Sequence, residues 1–192
     1  MTTPPEPAGR GSNSRSASWL VLVYRVPSEP SRLRAAVWRR LKALGAVYLQ
    51  SAVVALPSNA ENERALRILR NEVVEKMGGT AYLLSAVGLV GGSDLVELFN
   101  GARDDEYEEI LDKCRDFHSE LEKEYAAQHL TYAELEENEE DLTKLHRWFA
   151  KVRARDALGA RTAEAVASAL AGCDAALHDF AARVYEAEQL ER

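Results

Sequence analysis

Residues 19–92 alternate strand-like and helix-like patterns in the order β-α-β-β-α-β, and few folds accept that order. The run WLVLVYRV at residues 19–26 is β-branched and aromatic and stops at Pro27, so it reads as a strand buried on both faces. Ser28-Glu29-Pro30 then offers a cap and an early-turn proline. Leu33, Ala36, Val37, Leu41 and Leu44 follow at helical spacing up to Gly45, which predicts a helix over 30–44. Residues 46–56 are apolar except for Gln50-Ser51 and are closed by Pro57, the pattern of two short strands or one bent hairpin. Ser58 and Glu61 have capping-box spacing ahead of Leu66, Leu69, Val73 and Met77, and Gly78-Gly79 ends that helix. Residues 80–90, TAYLLSAVGLV, form the fourth strand.

This is the split βαβ, or ferredoxin-like, arrangement of the α+β class: a four-stranded antiparallel sheet with both helices on one face. The other face then needs a cover. From residue 93 onward only helical signals remain. Ser93-Asp94 caps a short segment ending near Asn100-Gly101, and Tyr107, Ile110, Leu111, Cys114, Phe117, Leu121 and Tyr125 share one face of the next helix. Thr131 and Glu134 form a second capping box before Leu135, Leu142, Leu145, Phe149 and Val152, with Gly159 as the stop. Thr162 caps a last helix striped by Val166, Leu170, Cys173, Leu177, Phe180 and Val184. Two such stripes joined by a short loop predict an antiparallel helical hairpin within a bundle. The expected organisation is a flexible Pro/Gly/Ser-rich tail at 1–17, a sheet module at 18–92, and a helical bundle at 93–192 packed on or beside it.

Charge follows the same division. Residues 1–92 carry 12 Lys and Arg against 6 Asp and Glu, and residues 93–192 carry 12 against 25, so the halves are +6 and −13. A polyanion such as nucleic acid would meet the first half and be repelled by the second. The two cysteines, Cys114 and Cys173, sit on apolar helical stripes with no disulfide or zinc-ligand spacing, and this fits a reducing cytoplasm. The sequence shows neither a signal peptide nor a membrane-spanning run.

The sharpest functional feature is the basic set Arg25, Arg32, Arg34, Arg39, Arg40 and Lys42 on and beside the first helix. Guanidinium groups on one helix can engage several phosphates. The competing reading is a solvated face, or one paired with the acidic half within the chain or across a dimer. Trp38 stands among these residues, and packing against the sheet or a dimer partner is favoured over base stacking. The carboxylates at Asp104-Asp105-Glu106 and Glu108-Glu109 read as a crowded, exposed acidic face without a desolvated general acid. His118, His129, His146 and His178 show no helical metal-site spacing, and Gly91-Gly92-Ser93-Asp94 reads as a loop and cap. No catalytic constellation, metal site or cofactor is expected.

A resemblance adds to these readings. The residues Tyr24-Arg25-Val26-Pro27, Ser31-Arg32-Leu33-Arg34 and Val37-Trp38-Arg39-Arg40-Leu41-Lys42 are followed by Leu44-Gly45-Ala46, Leu49-Gln50 and Leu56-Pro57. Arg103-Asp104-Asp105-Glu106-Tyr107 and residues 142–155 continue the pattern. Over residues 19–192 the chain resembles the N-terminal domain of the ChrB family of chromate-resistance regulators. The resemblance implies a transcriptional regulator that binds the double-stranded operator DNA of a chromate-resistance operon and responds to chromate; the working expectation is a homodimer whose first-helix arginines meet phosphate and whose helical hairpin supports assembly. Regulators of that family continue into a domain associated with chromate response, whereas this sequence ends at Arg192, so the expectation does not extend to chromate sensing. The sheet module is also similar to the ferredoxin-like domains of PaaX-type repressors and of the small CRISPR adaptation nuclease. In that nuclease an acidic residue at the end of strand one binds metal. Arg25 stands in that neighbourhood here, which disfavours metal-dependent cleavage. Two alternatives stay open beside the regulator: a protein-interaction module without nucleic acid, and a divergent enzyme.

Overall fold

Successive side chains of a strand point to opposite sheet faces, so β1 (Ser18–Arg25) divides its apolar residues between two environments. The computed structural model, which describes residues 17–190, buries Leu20 and Leu22 on one face and Trp19 on the other. Val21 and Val23, on the Trp19 face, are only half-buried, so the expected two-sided burial of this strand is incomplete. β1 pairs antiparallel with β3 (Val53–Pro57) on one side and β4 (Thr80–Val87) on the other, and β2 (Val47–Gln50) pairs antiparallel with β3. The strand order is therefore β2-β3-β1-β4. The apolar stretch at 46–56 resolves into two strands, with a register irregularity between Tyr48 and Gln50.

α1 (Arg32–Leu44) and α2 (Ala60–Glu75) cover the Leu20–Leu22 face with Val37, Leu41, Leu66, Leu69 and Val73, all fully buried. α1 begins two residues later than its proline suggested. It ends at Gly45, whose φ of 75° lets its N–H and that of Ala46 close onto Lys42 O at 2.9 Å and Leu41 O at 3.0 Å. α2 is capped by Asn59, not by Ser58. The Ser58 N–H donates to Ser18 O at 2.8 Å and so extends the sheet, while the extended Asn59 accepts from Asn62 N at 2.7 Å. β4 stops at Val87, three residues short of the expected end.

The largest departure lies in α3 (Gly92–Ala127), a single 36-residue helix that runs through Asn100-Gly101 without a break. One interior glycine costs a helix only about 1 kcal/mol. The buried Phe99 and Arg103 on either side of it hold the backbone in place. α3 begins after Gly91, which has φ of 71°, rather than after a Ser93-Asp94 cap. Its first turns place Leu95, Val96, Phe99 and Ala102 against the sheet core, with Trp19 and Phe99 meeting edge to face at 5.9 Å. A helix expected to belong wholly to the second module is thus shared by both.

From Tyr107 onward α3 packs with α4 (Tyr132–Arg155) and α5 (Ala163–Leu190) around a second core. The expected stripes point inward: Leu135, Leu142, Leu145 and Val152 of α4, and Val166, Leu170, Cys173, Phe180 and Val184 of α5, are buried. Thr131 caps α4 through Glu134 N at 3.3 Å. α4 ends at Arg155, ahead of Gly159, because the Asp156 carboxylate takes the N–H groups of Gly159 and Ala160, both at 3.0 Å. The expected hairpin is therefore two arms of a three-helix bundle in which α3 is the longest member. The tail expected at 1–17 falls, apart from Ala17, outside the described residues.

Candidate nucleic-acid interface

α1 buries its Val37–Leu41 stripe against the sheet and must therefore turn the rest of its circumference to solvent. Arg32, Arg34, Arg39, Arg40 and Lys42 are all exposed, and so is Arg25 at the end of β1. Arg32, Arg39 and Lys42, separated by seven and three residues, lie on one outward stripe about 15 Å long. Arg40 sits to one side and pairs with Glu72 of α2. Among the described residues Arg25, Arg32, Arg34, Arg39 and Lys42 form no ion pair with the acidic bundle or with each other's neighbours.

The local electrostatics of α1 run against the helix dipole at its start. Its first turn holds no acidic residue, and Ser31 makes no side-chain capping bond. Arg32 and Arg34 thus stand at the positive end of the helix dipole, where like charge is unfavourable and an anion is favoured. Trp38 does not pack against the sheet, the first of the two packing partners expected of it. It is 51% exposed, one position off the buried stripe and four residues from both Arg34 and Lys42. Arg64, Arg67 and Arg70 add basic groups on α2 that the sequence reading passed over, although their spacing of three was visible. Glu63 neutralises Arg67 at 2.6 Å.

The acidic motif at 103–107 has a different role from the exposed face expected of it. Arg103 is 3% exposed and donates from Nη1 to the Gly45 carbonyl at 3.1 Å. Glu106 lies between Arg103 and Arg155, accepting from Arg155 Nε at 3.2 Å and Nη2 at 2.9 Å. Arg103 also lies over the Phe99 ring, 5.3 Å from its centroid. Asp104 accepts from the Thr162 N–H at 2.9 Å, and the Tyr107 hydroxyl donates to Asp156 Oδ2 at 3.2 Å. Burial pushes the Arg103 guanidinium down from its ordinary value, opposed by the Glu106 charge. These contacts run from Trp19 through Phe99, Arg103 and Glu106 to Arg155, and they fix the C-terminus of α1 on the bundle. The signal available in the sequence was Arg103 at a stripe position, four residues from both Phe99 and Tyr107.

Cys114 and Cys173 are buried between α3 and α5, with the Cys173 thiol 3.6 Å from His118 Nε2. Burial pushes the Cys173 thiol up to about 12, and that of Cys114 also rises. Among the described residues no group of three or more His, Cys, Asp or Glu is placed to hold a metal ion. No described helix is long and apolar enough to cross a membrane.

Fold and surface together define an α+β protein that presents a basic helix on a four-stranded antiparallel sheet braced by three long helices. Residues 34–191 match the family described as Protein ChrB, N-terminal, and the chain belongs to that family. The match takes in Arg34, Arg39, Arg40, Lys42 and the whole 103–107 junction, and it begins after Arg25 and Arg32. No curated protein and no solved structure matches the chain.

Proposed function

We propose that the chain is a cytoplasmic DNA-binding transcriptional regulator of the ChrB type, linked to chromate resistance and acting as a homodimer without cofactor or catalysis. One observation carries this reading. α1 exposes five basic residues and no acidic one, with two arginines at its uncapped positive end. Such an arrangement costs stability in the free protein and is relieved when phosphates approach. The outward stripe of about 15 Å is comparable with the roughly 12 Å width of the DNA major groove, so its residues can reach phosphates on both walls. The strand order β2-β3-β1-β4 is that of a ferredoxin-like sheet and agrees with the resemblance to PaaX-type repressor domains. Duplex binding measured across a salt series tests the proposal. A steep negative slope of log affinity against log salt supports it, and no retardation of duplex DNA at low salt overturns it.

Trp38 favours a second reading. An exposed tryptophan beside arginines is the composition of a protein-protein hot spot, so α1 would dock an acidic partner protein instead. Binding to duplex DNA that is unaffected by Trp38→Ala separates the two.

A further inference from the structure

β4 is an edge strand of unusual openness. Among the described residues it pairs only with β1, in eight consecutive residue pairs from Ser18↔Val87 to Arg25↔Thr80 without a bulge. Its outer row of backbone N–H and C=O groups therefore meets no strand among the described residues along its whole length. Soluble proteins blunt such edges with charges, prolines, bulges or short strands. The opposite edge follows that rule, since β2 has four residues and an irregular register. β4 does not. Residues 78–92 contain no charged residue and no proline, in a chain whose residues are 29% charged.

The side chains of this segment are as open as its backbone. Tyr82 and Leu84 point to the sheet face opposite α1 and α2, and they are 65% and 52% exposed. Val21 and Val23 beside them are half-buried, because the first turns of α3 cover that face only at its Trp19 end. Leu89 and Val90, immediately beyond the strand, are exposed almost completely. The expectation that the second sheet face is covered is thus met only at its Trp19 end among the described residues of one copy.

We infer that β4 is the assembly surface of the chain, and that its occupant is β4 of a second copy, paired antiparallel across a two-fold axis to give one continuous eight-stranded sheet. The charge pattern selects this partner. α1 is basic and the bundle carries the −13 half, so an uncharged, hydrogen-bond-hungry edge matches neither, whereas it matches itself. Symmetry also selects it. A strand paired antiparallel with its own copy makes an isologous contact that closes at two subunits. With the axis near Leu83, Tyr82 of one copy faces Leu84 of the other on the open face, an aromatic–aliphatic cross-strand pair repeated twice. Tyr82, Leu84, Val87, Leu89 and Val90, each more than half exposed, give this edge the contiguous apolar surface that a specific interface buries. The inference takes up the two-copy assembly of the proposed function but moves it from the helical hairpin to the sheet edge. It is tested without DNA, so either reading can fail alone.

The experiment compares sedimentation of the wild-type chain with that of a Tyr82→Lys/Leu84→Lys variant across a concentration series. The wild-type chain is expected to be a dimer, and the variant to be a monomer with unchanged circular dichroism, its dissociation constant raised about tenfold or more by like charges placed opposite one another. The control Trp38→Lys, on the other side of the sheet, leaves the dimer intact. Should the double variant lose its helical signal, cross-linking of a mixture of Tyr82→Cys and Leu84→Cys chains decides. Oxidation is expected to join the two kinds of chain, while the buried Cys114 and Cys173 stay silent. A monomeric wild-type chain, a dimer that survives the lysines, or a mixture that does not cross-link overturns the inference. So does a dimer that appears only after residues 1–16 are deleted, because the edge would then belong to the chain's own N-terminus.

Discussion

The buried Arg103 guanidinium donates to the carbonyl of Gly45 at 3.1 Å, joining the longest helix of the bundle to the end of the basic helix across 58 residues of sequence. Gly45 is doubly constrained at this contact. Its φ of 75° disfavours any side chain, and a Cβ built on it would lie 2.0 Å from Arg103 Nη1. Gly45→Ala is therefore expected to cost about 1–2 kcal/mol for the backbone, plus the displacement of a buried guanidinium. Gly159→Ala provides the control, with φ of 77° and nothing within 4 Å of its Cβ. Urea unfolding should rank Gly45→Ala clearly below Gly159→Ala; equal losses would mean that the Arg103 contact contributes nothing.

Glu106 shares its carboxylate between Arg103 and Arg155, so its removal takes away the nearest counter-charge of both cations and leaves the more distant Asp156. Glu106→Gln should destabilise the chain by about 1–2 kcal/mol, the cost of weakening charge-assisted hydrogen bonds at a part-buried junction. The exposed Asp112–Arg115 pair on the same helix should respond to Asp112→Asn by less than about 0.5 kcal/mol. Denaturant midpoints of the two variants check the contrast.

The outward stripe of α1 gives a quantitative expectation for DNA. Replacing Arg32, Arg39 and Lys42 with alanine removes three exposed charges that form no ion pair among the described residues. The slope of log affinity against log salt should fall by about 2 to 3, since each phosphate contact contributes about 0.9. The unfolding midpoint should be unchanged. A slope that stays the same would place the phosphate contacts elsewhere.

Tyr107 supplies a pH dependence. Burial, reinforced by the Asp156 charge and hydrogen bond, pushes its hydroxyl up to about 12 from an ordinary value of 10.0. The folded state holds this proton more tightly than the unfolded state does. The associated stability is complete below pH 10 and is lost as pH rises through about 12. Stability measured between those limits should fall less steeply in Tyr107→Phe than in the wild-type chain.

The two cysteines test the bundle core. With both thiols buried and raised in pKa, neither should react with a thiol reagent in the folded chain, and both should react after denaturation. A fast-reacting native thiol would show that α3 and α5 part locally.

Strand and helix identities were readable wherever the pattern was local. The buried stripes of α1, α2, α4 and α5, the Thr131 cap and the Gly45 stop all stand where periodicity and turn chemistry put them. Boundaries failed where a distant partner intervened. Ser58 was drawn into the sheet by Ser18, and Gly101 stayed helical because Phe99 and Arg103 were buried by other elements. The basic face of α1 was legible because a helix that buries Val37 and Leu41 must expose Arg39 and Lys42. The roles of Arg103, Glu106 and Arg155 were not, since charged residues read as solvated until their neighbours are known.

The sequence alone determined the order of elements, the apolar stripe of each helix and the division into basic and acidic halves, because these depend on spacing along one chain. Only the tertiary structure decided that the exposed basic residues of α1 face solvent and not the acidic bundle, that α3 belongs to both cores, and that β4 pairs on one side alone among the described residues. Those outcomes depend on which surfaces meet, and a one-dimensional pattern sets how much apolar surface must be buried but not against what.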